Sequence, residues 1–234
     1  MKGLIIALQF MTRLPMPRVT ASAQDFARSM RCFPVVGLIL GALIAAACGA
    51  GARIDPWVGA LLGLIAWVGL TGALHLDGLG DMADAAGAAH KDRDRLRAVL
   101  SDPHVGSFGV VAIALQLIAK LVLLHTLVDR TLLPALVLIP FAARIAPLWW
   151  TRLLPPLHEG LGTAFRGAVR PVDLALWAAV WLLACWWVPG LLAAPMLMLG
   201  WGVWLRQRIG GISGDGHGAG IELVESGLLL AVLL

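Results

Sequence analysis

His75-Leu76-Asp77-Gly78-Leu79-Gly80-Asp81-Met82-Ala83-Asp84 sets three carboxylates at the end of a long apolar run. If the stretch is helical, offsets of four and seven residues bring Asp77, Asp81 and Asp84 onto one face. Three carboxylates on one face repel unless a cation sits among them. Hard oxygen ligands of this kind suit Mg²⁺, with phosphate as its usual second partner. The plainer reading is a solvated acidic helix start, because carboxylates favour the positive end of the helix dipole. The stretch holds no basic residue and abuts a membrane-length segment, which favours the metal. Gly78 and Gly80 leave a further alternative open, a broken helix or loop, in which the shared face is lost.

The surrounding chain explains why such a cluster stands out. Of 234 residues, 59% are hydrophobic and only 14% are charged, with a mean hydropathy of +0.85. That lies far above globular composition and indicates an integral membrane protein. The apolar runs are continuous rather than alternating, so they read as helices and not as barrel strands. The expected fold is all-α, a polytopic transmembrane bundle of about six to seven helices in one domain over residues 1–234. The net charge of +4 reports topology here and not nucleic-acid binding. Cys32, Cys48 and Cys185 show no paired spacing, so neither a disulfide framework nor a zinc site is expected. Trp149-Trp150 and Trp186-Trp187 stand near the ends of apolar runs, as interfacial anchors do.

A span needs about 20 apolar residues. Spans are expected near 33–52, 56–74, 107–128, 132–150, 173–189, 190–205 and 220–234, the pair at 173–205 joined by a Pro-Gly turn. Residues 1–31 read as an amphipathic membrane-surface segment. With the N-terminus inside, fourteen of the eighteen Lys and Arg residues fall on the cytoplasmic side, and only Arg53 and Arg130 fall outside. That asymmetry orients the protein in the bacterial inner membrane. It also puts every long polar segment, 75–106 included, on the cytoplasmic side, and the site with them.

Other residues could serve that site. Asp102 precedes Pro103-His104-Val105-Gly106-Ser107-Phe108-Gly109, where Gly106 lets backbone approach a ligand just before a span. The plain alternative is an ordinary loop-to-helix cap. The run Lys91 to Arg97 reads as a solvated helix face. Lys120 and Arg144 are costly within a bilayer. They serve an anionic substrate or pair with an acid such as Glu222, and Arg144 is near enough the inner boundary to reach it. Asp215, in the glycine-rich stretch Gly210 to Gly220, could join the acidic site from the far end of the chain. His104, His158 and His217 are candidate acid–base groups, though a lone loop histidine is usually polar surface.

Together these pieces resemble the cobalamin synthase family, the adenosylcobinamide-GDP ribazoletransferases. The resemblance rests on Phe10-Met11-Thr12-Arg13-Leu14-Pro15, Phe33-Pro34-Val35-Val36-Gly37, the acidic stretch at 75–84, Asp102 to Gly109, Glu159-Gly160-Leu161-Gly162, and Gly214-Asp215 with Gly218-Ala219, in that order. The chain departs from the family pattern at Ser101 and His104, where basic residues are usual, and at His217, where an apolar one is. The resemblance implies a late step of cobalamin biosynthesis. A hydroxyl of α-ribazole, or of its 5′-phosphate, attacks the cobinamide-bearing phosphate of adenosylcobinamide-GDP, and GMP leaves. It implies Mg²⁺ on Asp77, Asp81 and Asp84, with one of these, Asp84 in first place, as proton acceptor. Arg13, Arg144, Asp102, Gly106 and Asp215 follow as phosphate or substrate contacts. The implied partners are these small molecules and the bilayer, with no nucleic acid; a homo-oligomer or other enzymes of the pathway would be further ones. Two rival readings are another membrane Mg²⁺-dependent phospho-alcohol transferase, and a transporter lined by Lys120, Arg144 and Glu222.

Overall fold

A computed structural model of the chain describes residues 1–88, 104–157 and 161–234. The described elements are helices, in order α1 (Lys2–Met11), α2 (Ala23–Ser29), α3 (Phe33–Gly51), α4 (Pro56–Thr71), α5 (Leu74–Ala88), α6 (Ser107–Asp129), α7 (Ala135–Ala143), α8 (Ala146–Leu153), α9 (Leu161–Ala168), α10 (Pro171–Trp187), α11 (Ala194–Arg208) and α12 (Gly214–Leu233). Among the described residues, the only extended pairing is a single bridge between Pro156 and Ile212. The protein is an all-α membrane bundle.

Local chemistry sets the helix starts. Asp55 accepts from the Trp57 N–H at 2.7 Å, and Pro56 opens α4. Such a cap satisfies an N–H that the helix cannot, and proline at the first position forfeits nothing. Ser22 and Asp25 form a reciprocal capping box on α2. Ser213 accepts from the Gly216 N–H at 3.0 Å and starts α12.

Four helical runs are long and apolar enough to cross a membrane: Ala23–Gly51, Ser107–Asp129, Ala135–Leu153 and Gly214–Leu233. The expected span at 56–74 ends early. Gly72 (φ 62°) and Ala73 (φ 58°) both adopt the left-handed conformation, and α5 leaves α4 at 84°. The expected spans at 173–189 and 190–205 are helices of 17 and 15 residues. The Pro189–Ala193 3₁₀ turn takes up the chain between them. Among the described residues, four helical runs, or five with the bent α4–α5 pair, are thus long and apolar enough to cross a membrane on their own.

Residues 1–31 are not a free surface strip. Ile6, Ala7, Leu8 and Met11 of α1 are buried, and Phe10 packs on Phe26 and Phe33. Trp186 and Trp187 are exposed, as interfacial anchors would be, but Trp150 is buried in the core. Its indole N–H donates to the Met198 carbonyl at 2.9 Å.

The tightest packing joins α3 to α7. A Cβ on Gly37 would overlap the Pro140 carbonyl, and one on Gly41 the Leu136 carbonyl. Small residues let helix backbones meet where lipid supplies no hydrophobic drive. Gly37→Val is expected to lower stability by about 1–3 kcal/mol, because the two backbones must part. Thermal unfolding in detergent reads this, and an unchanged midpoint would contradict the close approach.

Candidate active site

The 84° break turns α5 across the end of the bundle, where it meets the start of α12. The crossing is made at glycines. A Cβ on Gly78 would lie 2.9 Å from Asp215 Cα, and one on Gly218 would lie 3.3 Å from His75 Cα. The acidic stretch is thus helical in spite of Gly78 and Gly80, and Gly78 serves the crossing. Asp215, expected from the far end of the chain, is brought against the centre of α5.

The three α5 carboxylates share a helix but not an environment. Asp77 is exposed, Asp81 is half-buried and Asp84 is buried. The charges of Asp77, Asp215 and Asp84 all bear on Asp81. Asp84 has a structural partner. Its two oxygens accept the Gly106 N–H at 2.7 Å and the Gly109 N–H at 2.9 Å. These are orphan donors at the start of α6, where a carboxylate also meets the positive end of the dipole. Gly106 is likewise occupied, its N–H held by Asp84 rather than turned outward to a ligand. A Cβ at Gly106 or Gly109 would overlap the Asp84 carboxylate.

Asp84→Ala is expected to cost about 0.5–2 kcal/mol, the usual worth of a helix cap. Asp84→Asn should also destabilise, because its NH₂ opposes one of the two N–H donors. A variant Asp84→Asn that keeps its melting point but loses activity would assign Asp84 to chemistry instead.

Arg13 is exposed. Its backbone N–H donates to the Leu70 carbonyl at 2.7 Å, and its side chain lies across Gly72, at the break that begins α5. Arg144 is placed differently. It is fully buried, and its Nη1 donates to Glu225 Oε1 at 2.7 Å and to the Pro140 carbonyl at 3.1 Å. Asp102, Ser101, His158 and Glu159 lie outside the described residues. His104 is exposed. His217 is half-buried, with Nε2 3.3 Å from Thr151 Oγ1.

Among the described residues, no three His, Cys, Asp or Glu side chains lie close enough to hold a metal ion between them. The available donors still fit Mg²⁺ in kind. Asp77, Asp81 and Asp215 offer accessible carboxylate oxygens on the two helices of this crossing. Mg²⁺ commonly binds through one or two carboxylates, substrate phosphates and retained waters rather than a full protein cage.

Behind the crossing lies a cluster that sequence reasoning found only in part. Lys120 Nζ pairs with Glu222 at 2.8 Å and Glu225 at 2.6 Å, and lies 4.2 Å from the centre of the Trp67 ring. Gln116 Nε2 donates to Glu222 Oε2 at 2.9 Å and Ser226 Oγ at 2.8 Å. Lys120 was expected to pair with Glu222 or serve a substrate; the first holds. Glu225 as the hub between Lys120 and Arg144 was missed. The available signal was that Glu222 and Glu225, three residues apart in the last apolar segment, match in number the two cations Lys120 and Arg144 inside other apolar segments.

These features define a class: a helical membrane protein with accessible carboxylates gathered at one end of its bundle. The comparisons narrow it. The chain belongs to the cobalamin-5-phosphate synthase family, whose model matches residues 3–233. Similar proteins named adenosylcobinamide-GDP ribazoletransferase include one from Novosphingobium aromaticivorans, 63% identical over 100% of this chain and 97% of its own length. Another, from Laribacter hongkongensis, is 52% identical over 100% and 97%. A third, from Thiobacillus denitrificans, is 49% identical over 98% and 94%. No solved structure matches the chain.

Proposed function

We propose that the chain carries out the reaction for which these relatives are named, joining α-ribazole or its 5′-phosphate to adenosylcobinamide-GDP. The observation that carries this is the end-to-end likeness at 63% identity, with the acidic stretch held at an accessible helix crossing. The ribazole hydroxyl oxygen bonds to the cobinamide-bearing phosphorus. The bond from that phosphorus to the oxygen it shares with GMP breaks, and GMP leaves with that oxygen. The hydroxyl proton passes to a carboxylate.

Asp81 is the best-placed acceptor. Partial burial and the like charges of Asp77, Asp215 and Asp84 both raise its proton affinity. Asp84 is occupied as a helix cap. Asp77 and Asp215 would hold Mg²⁺ together with the pyrophosphate, leaving Asp81 to take the proton. When bound, the ion neutralises charge on the attacked and leaving oxygens and aligns them. Arg13, exposed beside the start of α5, is suited to clamp the nucleotide phosphates. The basic residues of the segments 1–31, 89–103, 151–172 and 206–213 support a cytoplasmic position for this face, in an inner membrane.

Donor choice tests the reading. Purified protein should release GMP from adenosylcobinamide-GDP when α-ribazole and Mg²⁺ are present, and should leave CDP-linked lipid donors intact. Turnover of the CDP-linked donor alone would favour the phospho-alcohol transferases.

A further inference from the structure

α10 and α11 do not close on one another. Between them and α8 runs a cavity of about 490 Å³. Its walls are apolar, with Ala194, Met198, Gly202 and Arg206 marking one wall along α11, and Trp149 and Trp181 facing it from α8 and α10. The indole N–H groups of Trp150 and Trp181 are spent on the Met198 and Leu191 carbonyls. What those rings offer the cavity is therefore apolar surface.

The cavity has one charged end. Arg206 lines it, on the last turn of α11, and is exposed. Arg152 is exposed on the last turn of α8. The two helix ends are tied together just beyond, where Ile212 N–H donates to the Pro155 carbonyl at 2.9 Å and Leu157 N–H to the Ile212 carbonyl at 3.0 Å. Asp215 follows at once, so the basic end shares a face with the acidic crossing. From Ala194 to Arg206 the α11 wall rises roughly 18 Å at 1.5 Å per residue. That is close to the depth of one leaflet, about 15 Å of hydrocarbon.

We propose that this groove is a binding site for a single anionic phospholipid, one acyl chain lying along α11 and the phosphate paired with Arg206 and Arg152. Length and charge both select this occupant. A groove of one-leaflet depth suits an acyl chain, and cations only at its end suit an anionic head group. The bound lipid completes the wall that α10 and α11 leave open.

Brominated lipids provide the test, since bromine quenches tryptophan on contact. The full chain would be reconstituted in phosphatidylcholine vesicles containing a minor fraction of brominated phosphatidylglycerol, or of brominated phosphatidylcholine. Phosphatidylglycerol should quench at lower mole fraction than phosphatidylcholine, and Arg206→Gln should weaken that preference about fivefold, the worth of one cation near anionic lipid. Gly202→Leu, which fills the groove and keeps the arginines, should remove the same quenching component. Equal quenching by the two head groups in the wild-type chain would overturn the proposal. So would a preference that survives both substitutions.

Discussion

The double variant Asp77→Asn, Asp81→Asn is expected to lose transfer activity by about 10²–10³-fold, in the range seen when one preorganised electrostatic contribution to a transition state is removed. Asp77 is exposed and Asp81 half-buried, so neither side chain is part of the packed core. The variant should therefore melt with the wild-type chain, or slightly above it, because removing two of several mutually repelling charges relieves strain. Asp81 carries the repulsion of three neighbours. That repulsion is useful only if a cation or a proton is received there during turnover. Wild-type rates in the double variant would remove α5 from the chemistry. Loss of activity with loss of folding would leave it as scaffold.

Glu225→Ala is expected to be the most destabilising single change, by about 3–5 kcal/mol, as when one partner of a buried ion pair is deleted. Glu225 holds Lys120 at 2.6 Å and Arg144 at 2.7 Å, and all three are buried. Among the described residues Glu225 is the one anion paired with Arg144, whose Nε and Nη2 are already buried without partners. Lys120 would keep Glu222 at 2.8 Å. The stranded cation is thus Arg144. Glu225→Ala combined with Arg144→Met should recover part of the loss, which denaturant titration in detergent would read. If the single variant unfolds like wild type, the cluster does not tie α12 to α6 and to the Arg144 turn between α7 and α8.

The sequence carried the fold class because membrane spans are long and continuous, and nothing else produces runs such as Phe33–Gly51. It did not carry the α4–α5 break. Gly72 marks it only faintly, and Ala73 in a left-handed conformation has no local signature. The arms α10 and α11 are shorter than the other spans, 17 and 15 residues, because the Pro189–Ala193 turn takes residues that a hydropathy window counts as helix. In the site, spacing put Asp77, Asp81 and Asp84 on one face provided the stretch was helical; it is helical, but the three differ in burial. It could not show that Asp84 faces the start of α6, because that depends on Gly106 arriving from 22 residues further on. Arg144 was read from its distance to the boundary along the chain. Its burial follows instead from Glu225, 81 residues away. Local pattern was legible throughout; of the residues defined by a distant partner, Lys120 with Glu222 and Asp215 at the acidic stretch were anticipated, whereas Asp84 with Gly106 and Arg144 with Glu225 were not.

The most direct measurement is the reaction itself. Purified wild-type protein in vesicles, with Mg²⁺ and adenosylcobinamide-GDP, would be given α-ribazole or its 5′-phosphate while GMP and the corrinoid product are followed together. GMP and the ribazole-bearing corrinoid are expected in equal amounts, and neither should form without the ribazole. GMP released without the joined corrinoid, or no product from well-folded protein with either form of ribazole, would contradict the proposed reaction.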